Sequence, residues 1–232
     1  MKELDELYKA LQITYGNLDC EKSPIPIFSF EGLPGAGKTT QIKLVSEALT
    51  AKYGKSYYID LPTKSPIGKI MKSLYTDEQR WNGVREQTPW LNPIMISTDL
   101  RLAISRAVDE GARYAFMSRG VLSTYYYNLD AYDSDENKAW AMMQSHMKAF
   151  YMPAAIVFMD IPEEVAYERV VKRNRGPLRK MDEIDEMKKD KIRLQNYLAK
   201  MPNIPVYYID ATGTEEKVTK KIIEKIEGHL SI

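Results

Sequence analysis

The stretch Gly32-Leu33-Pro34-Gly35-Ala36-Gly37-Lys38-Thr39 decides how the rest of the chain is read. It satisfies G-x-x-x-x-G-K-[ST], and each position has a physical purpose. The glycines let the backbone wrap with its amide N–H groups turned inward, forming an anion nest. A helix that follows adds the positive end of its dipole. Lys38 brings a point charge to the outer phosphates of a nucleoside triphosphate, and Thr39 brings a hydroxyl to Mg²⁺. An ordinary glycine turn capping a helix is the bland alternative. The surroundings favour the phosphate loop, because an apolar strand precedes the stretch and a helical pattern follows from about Lys38, and Thr40 is expected to bind the nucleotide beside Thr39.

Working outward, residues 25–30 form a short apolar run that reads as a buried strand. Residues 38–52 carry Ile42, Val45 and Leu49 at helical spacing. Strands are expected over 56–59, 114–117, 154–159 and 206–209. Ser65 with Pro66 is a cap followed by proline in the first turn, which opens a helix to about residue 75. Residues 76–92 are polar and read as a loop or short helix. A helix over 93–110 is expected to bury Ile94, Leu100 (or Ser97), Ile104 and Val108. Residues 121–151 are mostly helical, Pro162 opens a helix to about 173, and Asp182 opens a charged helix to about 200. Thr212 and Glu215 fit a capping box for the last helix. Leu4, Leu7, Tyr8 and Leu11 predict an amphipathic helix over 2–15. The result is an α/β chain: a five-stranded, mostly parallel sheet with helices on both faces. An N-terminal helical extension over 1–24 precedes a phosphate-loop domain over 25–232. Ligands in such sheets bind beyond the carboxyl ends of the strands.

The bulk numbers set limits. The chain has 232 residues, 44% apolar and 28% charged, with a net charge of +1. A chain this long can bury a sizeable core, and no global field draws it to nucleic acid or to a membrane surface. No basic and aromatic interleaving suggests nucleic acid, no long apolar run suggests a membrane span, and no Cys/His cluster suggests zinc. Cys20 stands alone, so no internal disulfide can form. The expected location is the cytoplasm.

The segment from Phe30 through Glu31 and the loop to Gln41 resembles the start of the thymidylate kinases, F-E-G-L-D-G-A-G-K-T-T-Q. Further segments are similar in the same order: Pro62-Thr63-Lys64-Ser65-Pro66, Ser118-Arg119-Gly120-Val121-Leu122-Ser123 against D-R-Y-x-x-S, Asp160-Ile161-Pro162-Glu163-Glu164-Val165-Ala166 against D-x-P-P-E-V-A, and Ile209-Asp210-Ala211. The resemblance covers about residues 25–228. It implies a nucleoside monophosphate kinase fold, ATP with Mg²⁺, a mobile lid over about 173–181, and a homodimer. Lys38 would stabilise the transferring phosphoryl group and Arg119 would clamp its oxygens. Arg169, Lys172, Arg173, Arg175, Arg179 and Lys180 crowd twelve residues without an acid. The resemblance makes them lid cations, with Arg173 and Arg175 catalytic and Arg169, Arg173 and Ala211 on the nucleotide side. A solvated basic surface is the plain alternative. Lys64, Arg101, Arg119, Ser123, Tyr127 and Asn128 are the expected acceptor contacts.

The chain also departs from the family pattern. Pro34 replaces a loop carboxylate, and Ser118 replaces the aspartate that helps hold the Mg²⁺ shell. Leu100 replaces an arginine that meets the acceptor phosphate, with Arg101 next to it. Asp60 and Leu61 replace arginine and glutamate, and Ile96 sits near the place of the aromatic that stacks on thymine. The donor half of the site is kept and the acceptor half rewritten. Three readings stay open on the sequence. The first is a thymidylate kinase-like enzyme acting on a nucleotide or nucleotide-like acceptor other than plain dTMP. The second is a deoxynucleoside kinase-like enzyme using Glu31 as base toward a hydroxyl. The third is a nucleotide-binding regulator with a decayed site.

Overall fold

The computed structural model describes residues 22–126, 129, 134–146, 150–174, 176–201 and 203–230. The helix expected over 2–15 lies outside the described residues.

Strand β1 (Ile27–Glu31) runs through the centre of the sheet. It pairs in parallel with β3 (Tyr114–Ser118) on one side and β4 (Ala155–Asp160) on the other. Strand β2 (Ser56–Asp60) flanks β3, and β5 (Val206–Asp210) flanks β4, both in parallel, giving the order β2-β3-β1-β4-β5. The three inner strands are almost wholly buried, while the edge strands are half-covered. That contrast is visible in the sequence: IFSFE, YAFMS and AIVFMD read as continuous runs, as strands covered on both faces do.

Helices fill both faces. On one, α1 (Lys38–Tyr53), α7 (Glu163–Arg173) and α9 (Glu215–Leu230) pack over Phe28, Phe30, Phe116 and Val157. On the other, α2 (Pro66–Thr76), α4 (Leu91–Asp109), α5 (Val121–Tyr126), α6 (Glu136–His146) and α8 (Ile184–Lys200) cover Ile27, Ile59, Met117, Ile156 and Phe158. The polar stretch 76–92 carries α3 (Glu78–Gln87). Period-two alternation along β1 sends Phe28 and Phe30 to one layer. Ile27, Ser29 and Glu31 go to the other, which places a carboxylate inside the protein beneath α5.

Local chemistry accounts for the helix ends. Ser65 Oγ accepts from the Gly68 N–H at 3.0 Å, and Pro66 opens α2, as its missing N–H allows there. Two expectations are corrected. Val108 is exposed and Ala107 takes the buried position on α4, because the 3.6-residue period carries the apolar stripe one position back from Val108. Thr212 does not cap α9: its N–H and Oγ both donate to Asp210 Oδ1, and Thr214 Oγ instead accepts from the Lys217 N–H. An aspartate two residues upstream captures the threonine in a turn before it can cap. Among the described residues no helix is long and apolar enough to cross a membrane.

Candidate active site

The loop between β1 and α1 is shaped by three glycines at positive φ: Gly32 at 135°, Gly35 at 83° and Gly37 at 88°. A Cβ at Gly35 would lie 2.4 Å from the Ala166 carbonyl oxygen, so α7 is seated directly on the loop backbone. Gly37 precedes the first turn of α1, which begins with Lys38, Thr39 and Thr40. The loop forms the floor of a cleft of about 890 Å³ beyond the carboxyl ends of the strands, and Pro34 through Gln41 line it. That volume accommodates a nucleotide.

Lys38 is buried, and its Nζ donates to the Gly32 and Leu33 carbonyls at 2.7 and 2.8 Å. Burial, then the Arg119 charge and more weakly the Arg173 charge, lower its pKa to about 7 against the opposing pull of Glu31. Three cations, one on the loop, one after β3 and one at the end of α7, therefore repel one another around one point. Such a cluster is matched to a polyanion. Arg119 itself is a non-glycine residue at φ 71°, and its N–H donates to the Phe30 carbonyl at 3.0 Å.

Glu31 is 1% exposed. It accepts from the Gly120 N–H at 2.7 Å, Ser123 Oγ at 2.7 Å and Ser29 Oγ at 3.2 Å. Burial raises its pKa, against the pull of those hydrogen bonds and of Lys38. A Cβ at Gly120 would sit 2.7 Å from Ser29 Oγ, so the turn after β3 lies flat on the central strand. Glu31 thus ties the Arg119-Gly120 turn to β1.

At the end of β2, Asp60 and Leu61 line the cleft together with Ser118, Arg119 and Thr39. The Tyr58 hydroxyl feels these neighbours: burial and the Asp60 charge raise its pKa, while Thr39, Ser118 and the Arg119 charge oppose the rise. Among the described residues no cluster of three or more His, Cys, Asp or Glu side chains could hold a metal ion. The donors facing the cleft here are hydroxyl and carboxylate oxygens, the hard ligands that suit Mg²⁺.

Arg169, Lys172, Arg173 and Arg179 all line the cleft. Arg169 Nη1 donates to the Ala211 carbonyl at 3.1 Å, which joins α7 to the loop after β5. Arg179 is engaged by Asp182 through Nε at 2.9 Å and Nη2 at 3.2 Å. Burial pushes the Asp182 carboxyl up, but the Arg179 hydrogen bonds and charge outweigh it and hold the group below the usual carboxylate range. Arg175 lies outside the described residues.

The remaining predicted positions are arranged differently. Lys64 is exposed and does not line the cleft. Arg101 stacks its guanidinium 4.3 Å from the Tyr151 ring centroid rather than lining the cleft. Ser123 is buried and committed to Glu31. Ile96 is packed in an apolar cluster, so it offers no platform to a base. Tyr127 and Asn128 lie outside the described residues.

Sequence reasoning passed over Asp99. It is fully buried, and it accepts from the Thr63 N–H, Thr63 Oγ1 and Ser65 Oγ, each at 2.6 Å. It therefore locks the turn that carries Lys64. Its signal was available: a carboxylate at helical spacing between Ile96 and Ala103 falls on the buried stripe and must have partners there.

The chain is similar to known proteins over most of its length. A model of the thymidylate kinase family matches residues 30–222. A probable thymidylate kinase of Archaeoglobus fulgidus is 29% identical over 208 residues, spanning 89% of this chain and 97% of that protein. A thymidylate kinase of Thermoanaerobacter pseudethanolicus is 27% identical over 207 residues (87% and 97%). One of Limosilactobacillus reuteri is 24% identical over 210 residues (88% and 96%).

Proposed function

This chain belongs to the thymidylate kinase family, and we propose that it moves the γ-phosphoryl group of ATP onto the phosphate of a nucleoside monophosphate, or of a related small acceptor, other than plain dTMP. As a member of that family it is an ATP-dependent nucleotide kinase. The acceptor, the metal and the residue roles that follow are part of the proposal.

One observation carries the reading: Lys38, Arg119 and Arg173 converge on the phosphate loop while Glu31 is sealed beneath it. In the transfer, an acceptor oxygen forms a bond to the γ-phosphorus as the bond to the β–γ bridging oxygen breaks, leaving ADP. The charge spreads over oxygens, so catalysis is mostly positioning and electrostatic stabilisation. The loop amides and Lys38 hold the β- and γ-phosphates. Arg119 and the lid arginines, Arg173 and Arg175, meet the charge that moves. Arg169 and the Ala211 loop flank the nucleotide base. Mg²⁺, when bound, screens the phosphate oxygens, with Thr39 as its ligand from the chain.

A phosphate acceptor is already anionic and needs no base. A hydroxyl acceptor does need one, and Glu31 already receives three donors in a site closed to the cleft. The geometry therefore favours a phosphate over a hydroxyl, and Glu31 acts by positioning the Arg119 turn. The departure from dTMP rests on Ile96 being in the core and Arg101 lying over Tyr151. Lys64, carried on the turn that Asp99 holds through Thr63 and Ser65, is the acceptor-side cation of this reading. The proposal includes a homodimer in the cytoplasm.

The test is ADP release from ATP and Mg²⁺ against a panel of nucleoside monophosphates. We expect turnover with a monophosphate other than dTMP exceeding that with dTMP. Efficient turnover of dTMP alone would refute the acceptor part of the proposal.

A further inference from the structure

Ions of the Mg²⁺ type keep several waters and use one or two protein carboxylates. Among the described residues three carboxylates line the cleft: Asp60, Asp182 and Glu215. Asp182 is held by the Arg179 guanidinium. Glu215 opens α9, beside the opposite edge of the sheet. Asp60 is exposed and makes no hydrogen bond or ion pair with another described residue. It ends β2, and the ladder sets it directly beside Ser118, the last residue of β3. Neighbouring strands are about 4.8 Å apart, and partnered residues of a parallel pair face the same way. Tyr58, two positions before Asp60 and on the same face of β2, has Thr39 and Ser118 near enough to its hydroxyl to oppose the rise in its pKa. Thr39, Ser118 and Asp60 therefore form one oxygen-rich rim at the phosphate end of the cleft.

We propose that Asp60 is the carboxylate that holds the hydrated Mg²⁺ of the nucleotide complex, through the ion's own waters, with Thr39 as the direct hydroxyl ligand. The negative charge needed at this rim is carried one strand over from Ser118, which takes part only as a neutral hydroxyl. Asp60 thereby sits where an arginine of the family pattern would repel the ion. This inference rests on the metal–nucleotide reading above.

The test uses the full chain saturated with the non-hydrolysable ATP analogue AMP-PNP, and follows Mn²⁺ uptake by electron paramagnetic resonance. Mn²⁺ accepts the same octahedral oxygen site. Asp60→Asn should weaken Mn²⁺ binding by about tenfold to a hundredfold, the usual loss when an outer-shell partner is removed. The affinity for metal-free AMP-PNP should stay the same or tighten, since a negative charge has left the cleft. Adding Ser118→Asp to Asp60→Asn should bring Mn²⁺ binding back to within about threefold of the parent. A loss of less than about fivefold in Asp60→Asn overturns the inference, as does an equal loss of metal-free AMP-PNP. Failure of the parent protein to bind AMP-PNP at all would instead remove the nucleotide reading on which the inference rests.

Discussion

The buried ammonium of Lys38 makes nucleotide binding dependent on pH in a direction that can be worked out. With its pKa lowered to about 7 in the free protein, about half of the molecules carry the charge at pH 7 and about 1% at pH 9. A triphosphate supplies the counter-charge that burial, Arg119 and Arg173 deny it, so the bound form holds the proton. Binding then takes up a proton across this window. ATP affinity should fall by more than tenfold between pH 7 and pH 9, on the order of 2 kcal/mol. Stability of the free protein should move the other way. Between about 7 and the ordinary lysine value the unfolded chain binds a proton that the folded chain does not, so the Lys38 contribution to stability rises with pH. Isothermal titration calorimetry in two buffers of different ionisation enthalpy measures both the affinity and the proton uptake. Lys38→Arg is the control, because a guanidinium stays charged throughout. A flat affinity in the parent, or the same slope in Lys38→Arg, would refute this reasoning.

Three other outcomes are expected. Gly35→Ala would place a methyl 2.4 Å from the Ala166 carbonyl at a φ of 83°, and should cost about 2–4 kcal/mol in urea unfolding together with most of the ATP affinity. Asp99→Ala leaves the Thr63 and Ser65 donors unanswered in the interior. It should cost about 2–4 kcal/mol and raise KM for the acceptor more than for ATP, as measured by denaturation and steady-state kinetics. Arg173→Ala removes one of the charges that lower the Lys38 pKa. It should cut kcat by about 10²–10³-fold and shift the pH midpoint of ATP binding upward, two readouts that a purely structural defect would not couple.

What the sequence revealed and what it hid follow from how far apart the interacting residues lie. The phosphate loop was legible because its chemistry is local: glycine spacing, Lys38 and Thr39 fall within eight residues. The inner strands were legible because burial on both faces leaves continuous apolar runs, and α2 because Ser65 and Pro66 announce its start. Glu31 was visible as a carboxylate at a strand end, but its role depends on Gly120 and Ser123, which only the β1–β3 pairing brings near. The Asp99 lock on Thr63 and Ser65, and the meeting of Tyr58 with Thr39 and Ser118, are likewise products of tertiary packing. The Thr212 capping box failed for a local reason: Asp210 competes for the same hydroxyl. Arg101 was read by its neighbourhood to Leu100, whereas its direction is set by Tyr151, fifty residues on.

The most direct measurement follows the γ-phosphate itself. ATP labelled at that position is incubated with Mg²⁺, the protein and a set of nucleoside monophosphates alongside their parent nucleosides, and the labelled products are separated. Label should appear as the terminal phosphate of a nucleoside diphosphate, and should vanish by about 10³-fold or more in Lys38→Ala. Label on a nucleoside 5′-hydroxyl, or found only in inorganic phosphate, would contradict transfer to a phosphate acceptor over this loop.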